Sequence, residues 1–103
     1  MTLQELQKIL VEFEKDYWVA PKGEDEQTRH IVLHLTKLIG KIGAICEKRE
    51  HNFETDKGVI KTDVIPDLLY YALSLSEIYD VDLEKVFLDR LEANKSKVNN
   101  WKK

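Results

Sequence analysis

Two histidines four residues apart, His30 and His34, lead into the run HLTKLIGKIGAICEKREH (34–51), which carries Lys37, Lys41 and Lys48. At about 100° per residue, these five side chains fall within an arc of roughly 60° along one side of a helix. Such a basic seam suits two kinds of chemistry. Lys37 and Lys41, one turn apart, have the spacing to span two phosphate oxygens or two carboxylates on a facing helix, and His34 stands beside them as a further anion contact. Imidazoles at i and i+4 also have the spacing of a helical ligand pair for zinc or another transition metal, and Glu47 and His51 repeat that spacing. The plainer alternative for the lysines is a solvated helix edge, or salt bridges to a neighbouring acidic helix. The single cysteine, Cys46, forms no internal disulfide, and its helical spacing from Ile39 and Ile42 predicts burial rather than reactivity. Tyr70, Tyr71 and Trp18 accompany apolar positions and read as packing or interface aromatics rather than base-stacking platforms.

The elements that must position these groups are helical, because the apolar period is close to 3.6 almost throughout and no alternating run survives for long. The predicted fold class is all-α, a four-helix bundle. The first helix begins at Thr2, where Thr2 and Glu5 form a capping box, and Leu3, Leu6, Ile9, Leu10, Phe13 and Tyr17 recur on one face until about Tyr17 or Trp18. VAPKGEDEQ, with Pro21 and Gly23, makes a turn into a second helix from about Glu26 to His51, with a core stripe of Ile31, Val32, Leu35, Leu38, Ile39, Ile42 and Ile45. Gly40 and Gly43 lie on the side of that helix away from the lysines. There they cost about 1 kcal/mol each relative to alanine unless another helix approaches closely, and they predict tight helix packing. A polar connection with Gly58 then leads to a third helix, which Asp63 is placed to cap and whose first turn accommodates Pro66. Leu68, Leu69, Ala72, Leu73 and Leu75 fill it. YDVD interrupts the pattern, Asp82 caps a fourth helix, and Val86, Phe87, Leu91 and Val98 are its expected buried positions. Asp63 thus reads first as a cap, and Asp67 as either a dipole-complementing acid or a ligand. If the second and third helices are antiparallel, Glu47, His51, Asp63 and Asp67 could converge at one end as a cation site.

The chain's 103 residues, 43% of them hydrophobic, correspond to one domain spanning 1–103, small enough for a partner chain to complete its core. A formal net charge of −3 leaves no global field for nucleic acid or anionic membrane, so a polyanion contact would have to be local. MTLQELQKIL lacks the basic lead and cleavage site of a signal peptide, and no apolar run approaches the roughly 20 residues of a membrane span, so a cytoplasmic location is expected.

The first amphipathic helix with its Tyr17–Trp18 pair, HLTKLIGKIGAI, and IPDLLYYALSLSEIYDVDLEKVFLDRLEANKSK together resemble the MazG-like all-α nucleoside triphosphate pyrophosphohydrolases over nearly the whole chain. In that family a Glu-rich second helix of the form E-x-G-E-L precedes E-x-x-D at the start of the third helix. The resemblance implies a bundle completed by oligomerisation as a dimer or tetramer, and an enzyme in which carboxylates hold Mg²⁺ for attack of water on a triphosphate. Aligned on Gly40, the metal-binding glutamates fall at Leu38 and Lys41, and the E-x-x-D pair at Val64 and Asp67. Only Asp67 keeps its acid, and Lys41 sets a positive charge where the cation should sit. Three readings follow. The first is a divergent MazG-like protein without the usual hydrolysis that binds a nucleotide, a phosphate ligand or a protein partner. The second is an active hydrolase with a rearranged site built from Glu47, His51, Asp63 and Asp67. The third is a helical assembly module without a small ligand. The loss of acids favours the first.

Overall fold

In the computed structural model residues 1–17 and 23–101 are described; the role expected of Trp18 and the turn around Pro21 lie outside them. The described residues form α1 (Leu3–Tyr17), α2 (Glu24–Glu50), a π-helical turn (Ile60–Val64), α3 (Ile65–Ile78) and α4 (Leu83–Trp101), with no strand among them. The all-α expectation holds.

Local chemistry explains most of the boundaries. Thr2 Oγ1 accepts the Glu5 backbone N–H at 3.1 Å, so α1 starts where its cap predicts. Glu24, Asp25 and Glu26 occupy the first turn of α2, and Lys48 and Arg49 its last, both favourable to the helix dipole. α2 ends with Asn52 in the left-handed region (φ 62°), while the Phe53 N–H reaches the Lys48 carbonyl at 2.9 Å and the Asn52 N–H that of Arg49 at 3.0 Å. These paired bonds satisfy two carbonyls that a bare helix end would leave open. α3 ends in the same way at Asp80 (φ 52°), with Val81 N–H donating to the Ser76 carbonyl at 2.8 Å. The Lys85 N–H donates to Asp82 Oδ1 at 3.3 Å, so Asp82 caps α4 as expected.

The entry to α3 differs from the sequence expectation. Helical turns already begin at Gly58, whose N–H donates to Asp56 Oδ1 at 2.8 Å. A Cβ on Gly58 would stand 3.0 Å from that oxygen, so a larger residue there would require the Asp56 side chain to shift. Asp63 therefore lies inside the helical run rather than at its cap, where it accepts a hydrogen bond from Thr62 Oγ1 at 2.9 Å. The run tolerates Pro66 because the preceding turn is π-wound: the Ile65 N–H bonds the Ile60 carbonyl, five residues back. Extra backbone there relieves the clash between a proline ring and the carbonyl four residues earlier.

α3 packs against both α1 and α2, and α4 packs against α1. Ile31, Leu38, Val64 and Tyr71 form the buried centre, with Leu35, Ile42, Tyr70, Leu75 and Ile78 packed around it. Several residues assigned to the core lie outside it. Val32 and Ile39 of α2, Leu68 and Leu69 of α3, and Val86, Phe87, Leu91 and Val98 of α4 are exposed, Ile39 by 67% and Phe87 by 55%. Cys46 is exposed too, contrary to its expected burial. Among the described residues a Cβ at Gly40 or Gly43 would meet nothing within 4 Å, so the close helix approach they predicted is not found there. The radius of gyration is 17.0 Å, against roughly 13 Å for a compact domain of this length. No helix among the described residues is long and apolar enough to cross a membrane.

Candidate functional site

Helical spacing puts His30 and His34 on one side of α2, and antiparallel packing sets Asp67, Tyr70 and Tyr71 of α3 opposite. His34 stacks on Tyr71, with ring centroids 5.4 Å apart and planes 17° apart. His30 meets His34 edge to face at 4.5 Å, with the two Nε2 atoms 3.1 Å apart. Tyr71 is in turn edge-on to Tyr70 at 5.1 Å, and Tyr70 to Phe13 of α1 at 6.4 Å. One row of rings thus runs from α2 across α3 to α1. Glu14 anchors its far end, accepting hydrogen bonds from the Ser74 hydroxyl at 2.6 Å and the Tyr70 hydroxyl at 3.3 Å. The packing role assigned to Tyr70 and Tyr71 is therefore observed. Glu14 was missed, although an acid beside Leu10 and Phe13 on the inward face of α1 was a signal that it needed a buried partner.

Burial holds the His34 pKa below its ordinary value, the charges of His30 and Lys37 lower it further, and Asp67 opposes them. Burial, and then the Asp67 carboxylate, push the Tyr71 phenol up. At neutral pH this side of the α2–α3 contact presents a neutral imidazole flanked by an acid and an ammonium group. Lys37 and Lys41 are both exposed, and neither forms an ion pair with an acid among the described residues. Pairing of either lysine with Asp67 inside one chain is thus not observed, and the seam remains open to an anion or a second chain.

The four proposed metal-site residues are not brought together. Among the described residues no three His, Cys, Asp or Glu side chains stand close enough to hold a metal ion. Helix length is the reason: Asp67 acts electrostatically on His34, whereas Glu47 lies thirteen residues further along α2, roughly 20 Å away. Glu47, His51 and Asp63 are all exposed, and Asp67 is half-buried. Leu38 and Val64 are only 4% and 0% exposed and belong to the same apolar cluster. An open hollow of about 620 Å³, lined by Gln4, Gln7, Lys8, Val11, Glu12 and Glu77, shares no residue with the histidine cluster.

No family model matches the chain, and no curated protein or solved structure matches it significantly.

Proposed function

We propose that this chain is a divergent MazG-like protein that has lost the usual Mg²⁺-dependent pyrophosphohydrolase site and binds a nucleotide or other phosphate ligand, or a protein partner, along the Lys37–Lys41 edge of α2. The observation that carries this is the burial of Leu38 and Val64 in one apolar cluster. At these two positions the resemblance expects carboxylates around a hydrated cation. Mg²⁺ keeps several waters and takes hard oxygen ligands, and a sealed aliphatic contact supplies neither. Lys37 and Lys41, exposed on the adjoining edge, offer two cationic donors one turn apart to phosphate oxygens. His34 beside them, held neutral by burial, adds an uncharged donor. The separation of Glu47 from Asp67 disfavours the rearranged hydrolase. Ion pairing and hydrogen bonding to phosphate in a partly exposed site would be salt-dependent.

The protein's surface supports a further part of the proposal, that the fold is completed by another copy of the chain. The accessible area is 8329 Å², whereas a compact monomer of 12.1 kDa would expose roughly 6,000 Å². A pure assembly module would share that property, so ligand binding has to be tested directly. The experiment is a titration of nucleoside triphosphates, followed by melting temperature and with and without Mg²⁺, for the parent, Lys37→Glu and Lys41→Glu proteins, together with an assay for released pyrophosphate.

A further inference from the structure

We propose that His30 and His34 form a chelate for one divalent transition-metal ion, with Zn²⁺ as the representative, bound through both Nε2 atoms and completed by water. The chelate shares His34 with the phosphate edge, but it uses none of the lysines and does not depend on the MazG-like proposal.

Its basis is the geometry of the two rings. Zn–N bonds are about 2.0–2.1 Å long, so two nitrogens 3.1 Å apart subtend roughly 100° at a shared ion, near the tetrahedral angle. The contact is part-buried and is itself an Nε2···Nε2 hydrogen bond, so the two nitrogens are already held side by side before an ion arrives. Without metal, one Nε2 carries a hydrogen and the other offers its lone pair, since two lone pairs or two N–H groups face to face would repel. Metal binding requires the donating ring to hold its hydrogen on Nδ1 instead, after which both Nε2 lone pairs point at the ion. No net proton is lost when both rings begin neutral.

The surroundings act on a bound cation in both directions. The stack of His34 on Tyr71 fixes the plane of one ligand ring, so little rotamer freedom remains to be lost on binding. Burial keeps His34 in the neutral form that ligates, and Asp67 brings a negative charge to the same ring. Burial and Lys37 oppose the added positive charge and outweigh Asp67 at His34, so the ligand geometry has to supply the affinity, and salt, by screening the exposed Lys37 ammonium, should weaken that opposition. Soft-to-borderline ions that prefer imidazole should bind, whereas Mg²⁺, which prefers oxygen, should not.

The test uses the full chain with no affinity tag, titrated with ZnCl₂ and separately with MgCl₂ at pH 7.5 by calorimetry in the absence of nucleotide. We expect one Zn²⁺ per chain in the parent, binding at least about tenfold weaker in His30→Gln and in His34→Gln, and no Mg²⁺ binding. His34→Gln also removes the stack on Tyr71, so circular dichroism is recorded for each variant. If that variant unfolds, His30→Gln, which leaves the stack in place, decides the matter alone. Zn²⁺ bound equally well by His30→Gln, which would place the ion elsewhere, or no binding by the parent up to about 1 mM, would overturn the proposal.

Discussion

His34 is the residue on which most of the local electrostatics converges: it stacks on Tyr71, meets His30 at its edge, and feels Lys37 and Asp67 with opposite sign. Because its folded-state pKa lies below the ordinary value of 6.5, the unfolded chain binds a proton that the folded chain still refuses. The stability supplied by the neutral ring is therefore complete above about pH 6.5 and is lost as the pH falls through the lower, folded-state value. Urea midpoints at pH 7.5 and pH 5 should separate more in the parent than in His34→Gln. Equal separations would mean that the imidazole does not couple to folding. At this scale the sequence was informative where spacing is rigid. The i, i+4 histidines and the lysine edge follow from helix geometry alone, but the Tyr71 stack and the Glu14 bonds needed the relative placement of three helices. The exposure of Cys46 was invisible for the opposite reason, since its spacing marks a face and a face is buried only if something covers it.

At the scale of elements, the four helices and the caps at Thr2 and Asp82 were legible because each rests on a short-range signal. The start of the third helical run was not. Asp63 before Val64-Ile65-Pro66 looks like a cap followed by a proline in the first turn, yet the π turn lets helical winding begin at Gly58 and pass through the proline. That one shift removes Asp63 from a cap position and carries Val64 into the core. The helix ends are more conventional but rely on Asn52 and Asp80 at positive φ, where glycine would be free of strain. Asp80→Gly should raise stability by about 0.5 kcal/mol, roughly 2–4 °C in melting temperature for a chain of this size. A fall in melting temperature would show that the Asp80 side chain contributes something its exposed position does not suggest.

At the scale of the whole molecule, the helical pattern marked apolar faces as buried, and several of them are exposed in the single chain. α4 has no buried residue, and α2 leaves Val32 and Ile39 exposed beside glycines that nothing among the described residues approaches. Patterning records that a face is apolar, not which chain covers it. If copies of the chain cover these faces, sedimentation at tens of micromolar should give a mass well above 12.1 kDa, and Phe87→Asp or Ile39→Asp should lower it. A parent protein that remains monomeric would remove self-assembly from the proposal without touching the lysine edge. The central claim, a phosphate-binding edge in place of a magnesium centre, is tested most directly by the nucleoside triphosphate titration. The predicted result is a rise in melting temperature that does not need Mg²⁺, shrinks as salt is added, and is lost in Lys37→Glu and Lys41→Glu, with no pyrophosphate released. Mg²⁺-dependent release of pyrophosphate that disappears in Asp67→Asn would contradict it.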